Sequence, residues 1–168
     1  MASTVIAAAA LTLALATPAP QAEPSKACGI EIPRALRVLD CRLTAAVARG
    51  LPRSPTLRAL LARIEELHGL VYVTTAYEIT RRNNHRLRGG TWNAVSAAGP
   101  YRLVRVAIEQ RYDDDGTALL AHELQHVIEL LESPAGVAGG EISAGIRESR
   151  KAQEVERLVT RELRASAP

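Results

Sequence analysis

Between Leu119 and Glu132 the chain reads LLAHELQHVIELLE, and the spacing of its apolar residues allows one regular conformation. Leu120, Leu124, Val127, Ile128 and Leu131 recur at intervals of three and four, the signature of one helix face, and predict a helix from about Thr117 to Glu132. A helix with so apolar a face has to be covered, so the rest of the chain must supply a sheet or further helices to pack on it. Asp113, Asp114 and Asp115 stand where their charge meets the positive end of the helix dipole, and read as capping residues. A calcium loop would need further carboxylates at fixed spacing, and these are missing. Ser133-Pro134 ends the helix.

The covering elements can be read on both sides of it. The segment PRALRVLDCRLTAAVARG spaces Leu36, Leu39, Leu43 and Val47 for one face of a first helix, with Gly50 as its stop. A second helix starts with Ser54 as N-cap and Pro55 at its first position, carries Leu57, Leu60, Leu61 and Ile64 as a stripe, and ends at Gly69. LVYVTT at 70–75, HRLRGGTWNAVS at 85–96 and YRLVRVAIEQ at 101–110 read as three strands, the last two separated by the turn Gly99-Pro100. A final helix is expected over 146–164, after a Gly-rich loop. The chain has 47% apolar residues but 3% aromatics and no Phe, so its core must be built from Ala, Leu, Val and Ile. The expectation is an α+β fold, a small, mostly antiparallel sheet packed on helices, within a single domain over 35–165.

Residues 5–16, VIAAAALTLALA, form an uncharged run that suits a signal-peptide core and falls short of the ~20 residues of a spanning helix. Residues 1–22 therefore read as a signal peptide and 23–34 as an arm, although no Lys or Arg precedes the run, Ala16 and Ala22 compete as cleavage sites, and an uncleaved anchor is the alternative. With the signal removed, no stable membrane span is expected. The only two cysteines, Cys28 and Cys41, are expected to pair, as in a secreted or periplasmic protein. Nineteen of the 21 cationic residues are Arg, and the net charge is only +3. The densest basic cluster, RRNNHRLR at 81–88, contains no aromatic and reads as a solvated hairpin, so no nucleic-acid partner is expected.

On the long helix, His122 and His126 project from one face, one turn apart, with Glu123 beside them. This is the arrangement by which two imidazoles bind one Zn2+ while the carboxylate acts as general base toward the water the metal activates. An open site needs a third protein ligand, and no histidine follows His126. Glu129 and Glu132 occupy the positions at which a third-histidine pattern would have its Gly and its His; without the Gly the helix continues and carries Glu132 away. A carboxylate from elsewhere must serve, and Glu141, Glu148, Glu154 and Glu156 are the candidates. Glu148 shares a helical face with Ala152, Val155 and Val159 and is favoured; Glu154 lies at spacings of three and four among Arg150, Lys151, Arg157 and Arg161, as on a solvent-side salt-bridge face, and stands next. His68 and His85 read as surface residues.

At these residues the sequence resembles the zincin metallopeptidases, specifically the gluzincins, in which His-Glu-x-x-His is followed by a ligand Glu on a second helix. It is also similar to small uncharacterised bacterial secreted proteins that share the HELQH helix and a later Glu-Thr-x-x-Ala segment, which ESRKA at 148–152 would match. That likeness covers most of 50–165, including RSPTLRALLARIE and LVYV, and is specific at the zinc motif and loose elsewhere. The resemblance implies a secreted zinc metallohydrolase of peptidase type, with Glu123 catalytic, His122, His126 and Glu148 as ligands, and a peptide or protein as substrate. The chain departs from gluzincins in having no His or Tyr after His126 to stabilise an oxyanion; Tyr101, Tyr112, Arg147 and Arg150 are the substitutes. The alternative reading is a catalytically inactive zincin-like domain, with structural zinc or a partner-binding role.

Overall fold

A computed structural model describes residues 28–77, 79–80, 86–92, 95–133 and 149–166, the side chains of Thr80, Arg86 and Leu87 excepted. The segment read as a signal peptide, the tip of the 81–88 hairpin with His85, and Glu141, Arg147 and Glu148 lie outside the described residues. The class is α+β, as expected, with four helices and a mixed five-stranded sheet among the described residues. In chain order the elements are β1 (Leu36–Val38), α1 (Cys41–Gly50), α2 (Pro55–Glu66), β2 (Gly69–Ala76), β3 (Ile79–Thr80), β4 (Arg86–Leu87), β5 (Gly89–Thr91), β6 (Ser96–Ala98), β7 (Tyr101–Glu109), α3 (Asp114–Glu132) and α4 (Arg150–Ala165).

The sheet corrects the expectation of a mostly antiparallel one. Its order is β1-β2-β7-β5, with β6 also on β7, and its centre is parallel: β1 pairs with β2, and β2 with β7 over the whole run from Gly69↔Arg102 to Ala76↔Glu109. Parallel neighbours need a crossover, which α1 and α2 supply between β1 and β2. Only the edge is antiparallel. β6 turns back on β7 through Gly99-Pro100, Gly99 having φ +59°, and β5 pairs with β7 further along, Gly89↔Ile108 to Thr91↔Val106. At the hairpin expected over 81–88, β3 and β4 pair antiparallel, Ile79↔Leu87 and Thr80↔Arg86.

The helix expected to begin near Pro33 is a second correction. Leu36–Val38 form β1, while Leu39 is 58% exposed and belongs to no core face. Asp40 interrupts the run, because its side chain accepts from the Arg42 amide and so starts α1 at Cys41. Cys28 and Cys41 form a disulfide, Cα to Cα 5.5 Å, which ties the arm to the first residue of α1. In α2 the capping is as read: Ser54 Oγ accepts from the Leu57 amide at 3.0 Å, and Pro55 opens the helix. The residue that leaves the helix at positive φ is His68, at 52°, and it is exposed. Gly69 is required for another reason, since a Cβ there would stand 2.7 Å from both Ile64 Cγ2 and Leu131 Cδ1.

α3 is the axle of the molecule. Asp113 caps it by accepting from the Gly116 amide at 2.9 Å, and Asp114 holds Arg53 through two bonds of 3.0 and 2.9 Å. Its apolar face is buried as expected, Leu120, Leu124, Val127 and Leu131 completely, against a core that includes Leu57, Leu61, Ile64, Val104, Val106, Ile108 and Leu163. Arg102, at the start of β7, has a purpose at the far end. Its guanidinium donates to the carbonyls of Leu67 and Leu131, both at 2.7 Å, satisfying the C-terminal ends of α2 and α3 together.

Candidate metal centre

The polar face of α3 is not a solvent face. His122, Glu123 and His126 are 7%, 4% and 5% exposed, because α4 and the edge strand β5 cover the side of α3 that the sheet and α2 leave open. The two imidazoles lie edge to face, ring centroids 5.0 Å apart, as one helical turn dictates. Each has its Nδ1 beside a carboxylate. His122 Nδ1 is 3.0 Å from Glu156 Oε2 on α4, and His126 Nδ1 is 3.3 Å from Glu129 Oε2, one turn further along α3. A carboxylate at Nδ1 draws the proton to that nitrogen, so Nε2 is the basic nitrogen of each ring, and metal-binding histidines are oriented in this manner.

Glu123 is fixed by β5. The Thr91 hydroxyl donates to Glu123 Oε2 at 2.8 Å. Gly89 lies so close that a Cβ there would stand 2.4 Å from Glu123 Oε1 and 3.1 Å from its Cγ. A side chain at 89 and this carboxylate cannot occupy the same place, which explains a glycine in the strand.

Other candidates separate cleanly. Glu132 binds Arg63 at 2.8 Å on the surface, so the uninterrupted helix does carry it away from the histidines. Glu154 is exposed in a shallow groove with Arg150, Gln153, Arg157 and Arg161, on the solvent side as anticipated, but among the described residues no ion pair joins it to them, which corrects the expected salt bridges. Glu156, weighed as a ligand, lies against the Nδ1 of His122 and also pairs with Arg88 at 3.3 Å. The last helix begins at Arg150, with Ser149 as N-cap accepting from the Ala152 amide at 3.0 Å, later than the expected 146. The same Ser149 hydroxyl donates to Glu129 Oε1 at 2.8 Å. The start of α4 is thereby pinned to the residue that touches His126. Among the described residues no three His, Cys, Asp or Glu side chains converge as a complete metal-binding group.

Of the substitutes for an oxyanion donor, Tyr112 is committed elsewhere: its hydroxyl donates to Asp40 Oδ2 at 2.8 Å and accepts from Arg42 at 3.0 Å. Burial and the Asp40 hydrogen bond push its phenol above the ordinary value. Tyr101 is half-exposed at the start of β7, five residues and about 17 Å of strand before Val106, the partner of Thr91.

Sequence reasoning missed Thr91 and Gly89, weighed Glu156 only as a possible ligand, and noted Glu129 only as standing where a Gly would be. Only Glu129 left a signal, being three residues beyond His126 and hence on its face. The chain matches no protein-family model, no curated protein and no solved structure.

Proposed function

We propose that this chain is a zinc-dependent hydrolase of peptidase type, secreted or periplasmic, with His122 and His126 as metal ligands and Glu123 as general base. One observation carries the reading: two histidines on one buried helix face each have a carboxylate at Nδ1, with Glu123 held between them by Thr91. The chemistry of this donor set fits zinc, for which neutral imidazoles with an oriented Nε2 are preferred ligands. Bound there, zinc supplies Lewis-acid polarisation of a carbonyl and makes water acidic enough to lose a proton near neutral pH. Glu123, with Oε2 held by Thr91, would take the proton from the attacking water and pass it to the departing amine. A peptide strand would lie along the β5 edge beside Glu123. Glu148 remains the proposed third ligand, supported by its place in the chain directly before Ser149. The disulfide fits an oxidising compartment, and no helix among the described residues is long and apolar enough to cross a membrane.

The burial of Glu123 beneath β5 favours a second reading, an inactive domain with structural zinc. One pair of measurements separates the two. The hydrolase binds one zinc per chain, loses most of it in His126→Ala and Glu148→Ala, and in Glu123→Gln keeps the metal but loses peptide hydrolysis by roughly a hundredfold or more. Zinc retained with no hydrolysis by the wild-type chain, and a fourth protein ligand in its coordination sphere, would establish the structural reading. A chain that takes up no zinc after loading ends both.

A further inference from the structure

The outer face of α4 carries charge that the site does not use. Its buried stripe is Ala152, Val159 and Leu163. Two of its three glutamates turn inward beside that stripe, Glu156 to His122 and Glu162 to Ser54 and Thr56. The cations are left outside: Arg150, Lys151, Arg157, Arg161 and Arg164 are all exposed, with Glu154 the only carboxylate among them. Five exposed cations against one exposed acid give the solvent side of this helix a local excess of positive charge. Arg150, Arg157, Arg161 and Arg164 fall within about 60° around the helix and extend about 21 Å along it, a straight row opposite the core. Arg157 Nε donates to the Gln153 carbonyl at 3.2 Å; among the described residues none of the five is within ion-pair reach of a carboxylate.

We propose that this row is a docking face for an anionic membrane surface, binding the phosphate groups of acidic phospholipids. A straight row of guanidinium groups meets a plane of phosphates at every position at once, and the planar fork of Arg matches phosphate oxygens in pairs. The face has no aromatic on which a nucleobase could stack and no apolar anchor of the kind a protein partner needs. Surface electrostatics alone is what remains, and acidic lipid headgroups need nothing more. This docking face does not depend on the metal site.

The test is co-sedimentation of the full chain with phosphatidylcholine vesicles, with and without about one third phosphatidylglycerol, at about 0.1 M salt. The anionic vesicles should bind more strongly, since each of these arginines contributes about a fivefold factor; the Arg150→Gln, Arg157→Gln, Arg161→Gln variant should lose roughly a hundredfold of that partition. Raising salt to about 0.5 M should abolish the difference in the unmutated chain, a control that does not depend on the variant folding. An apolar N-terminal segment would bind both vesicle types alike, so only the difference between them is read. Equal partition into neutral and anionic vesicles, or an anionic preference unchanged in the folded variant, overturns the proposal. So does a single-stranded oligonucleotide that binds the row more tightly than the vesicles at equal salt.

Discussion

The two ends of α4 use the same residue type for opposite purposes. In its first half, Glu156 rests on the His122 ring and on exposed Arg88, with its side chain 26% accessible. Near its end, Glu162 accepts from Ser54 Oγ at 2.5 Å, from Thr56 Oγ1 at 2.6 Å and from the Thr56 amide at 3.2 Å, while Arg53 donates to the neighbouring Leu163 carbonyl. Glu162 thus extends the cap of α2 and bolts the two helices together. Burial raises its carboxyl, but the hydrogen bonds from Ser54 and Thr56 outweigh burial and hold it below the ordinary value. What distinguishes the ends is saturation. A carboxylate whose acceptor sites are filled by fixed donors stabilises the fold, whereas one resting on an imidazole and an exposed Arg orients the ring and adds little stability.

The strongest way to break this contrast is at the bolted end. Leu163→Ala removes a fully buried side chain and should cost about 2–5 kcal/mol in denaturant unfolding. A loss under about 1 kcal/mol would mean the end of α4 is not part of the cooperative core. Reduction of the Cys28–Cys41 bridge, which closes a 13-residue separation, should cost about 3 kcal/mol and lower the thermal midpoint without altering zinc uptake.

Glu162→Gln should cost about 1.5–3 kcal/mol at neutral pH. The pH dependence fixes its cause. With a folded-state pKa depressed below the ordinary 4.5, Glu162 contributes its full stability above that value and loses it as pH falls through the lower folded value. The wild-type chain should therefore lose more stability than the Gln variant on acidification below about 4.5. Parallel pH curves for the two proteins would remove the bolt from the account.

The smallest effect on folding belongs to the other end. Glu156→Gln should change stability by less than about 1 kcal/mol, yet weaken zinc about 10–100-fold, because Gln holds the ring less firmly and cannot draw its proton. Direct titration with a competing chelator reads the affinity. The reverse pattern, a large stability loss with zinc unchanged, would make Glu156 a structural residue and leave the two ends alike.

How much of this was legible beforehand depended on distance along the chain. Ser54, Asp113 and the apolar stripes of α2 and α3 were readable because caps and helix faces are set by neighbours within about four residues. Leu36 and Leu39 misled for the same reason: their spacing fits a helix, but a parallel partner thirty-five residues away, Val71 for Leu36, fixes that stretch as β1. Parallel pairing leaves little trace in sequence, since the ladder is made by backbone groups and the crossover, beyond about a dozen residues, has no fixed length.

By itself the sequence determined the α3 helix, the coplacement of His122, Glu123 and His126 on it, the pairing of the two cysteines and the α+β class, all consequences of local periodicity or of count. Tertiary structure decided that the motif face is buried, that the sheet is parallel at its centre, that Thr91 and Gly89 fix Glu123, and that Glu156 addresses His122 while Glu154 faces out. These depend on the angle at which α4 and β5 lie across α3. That angle is the outcome of packing summed over the whole core, and no short stretch of the chain carries it.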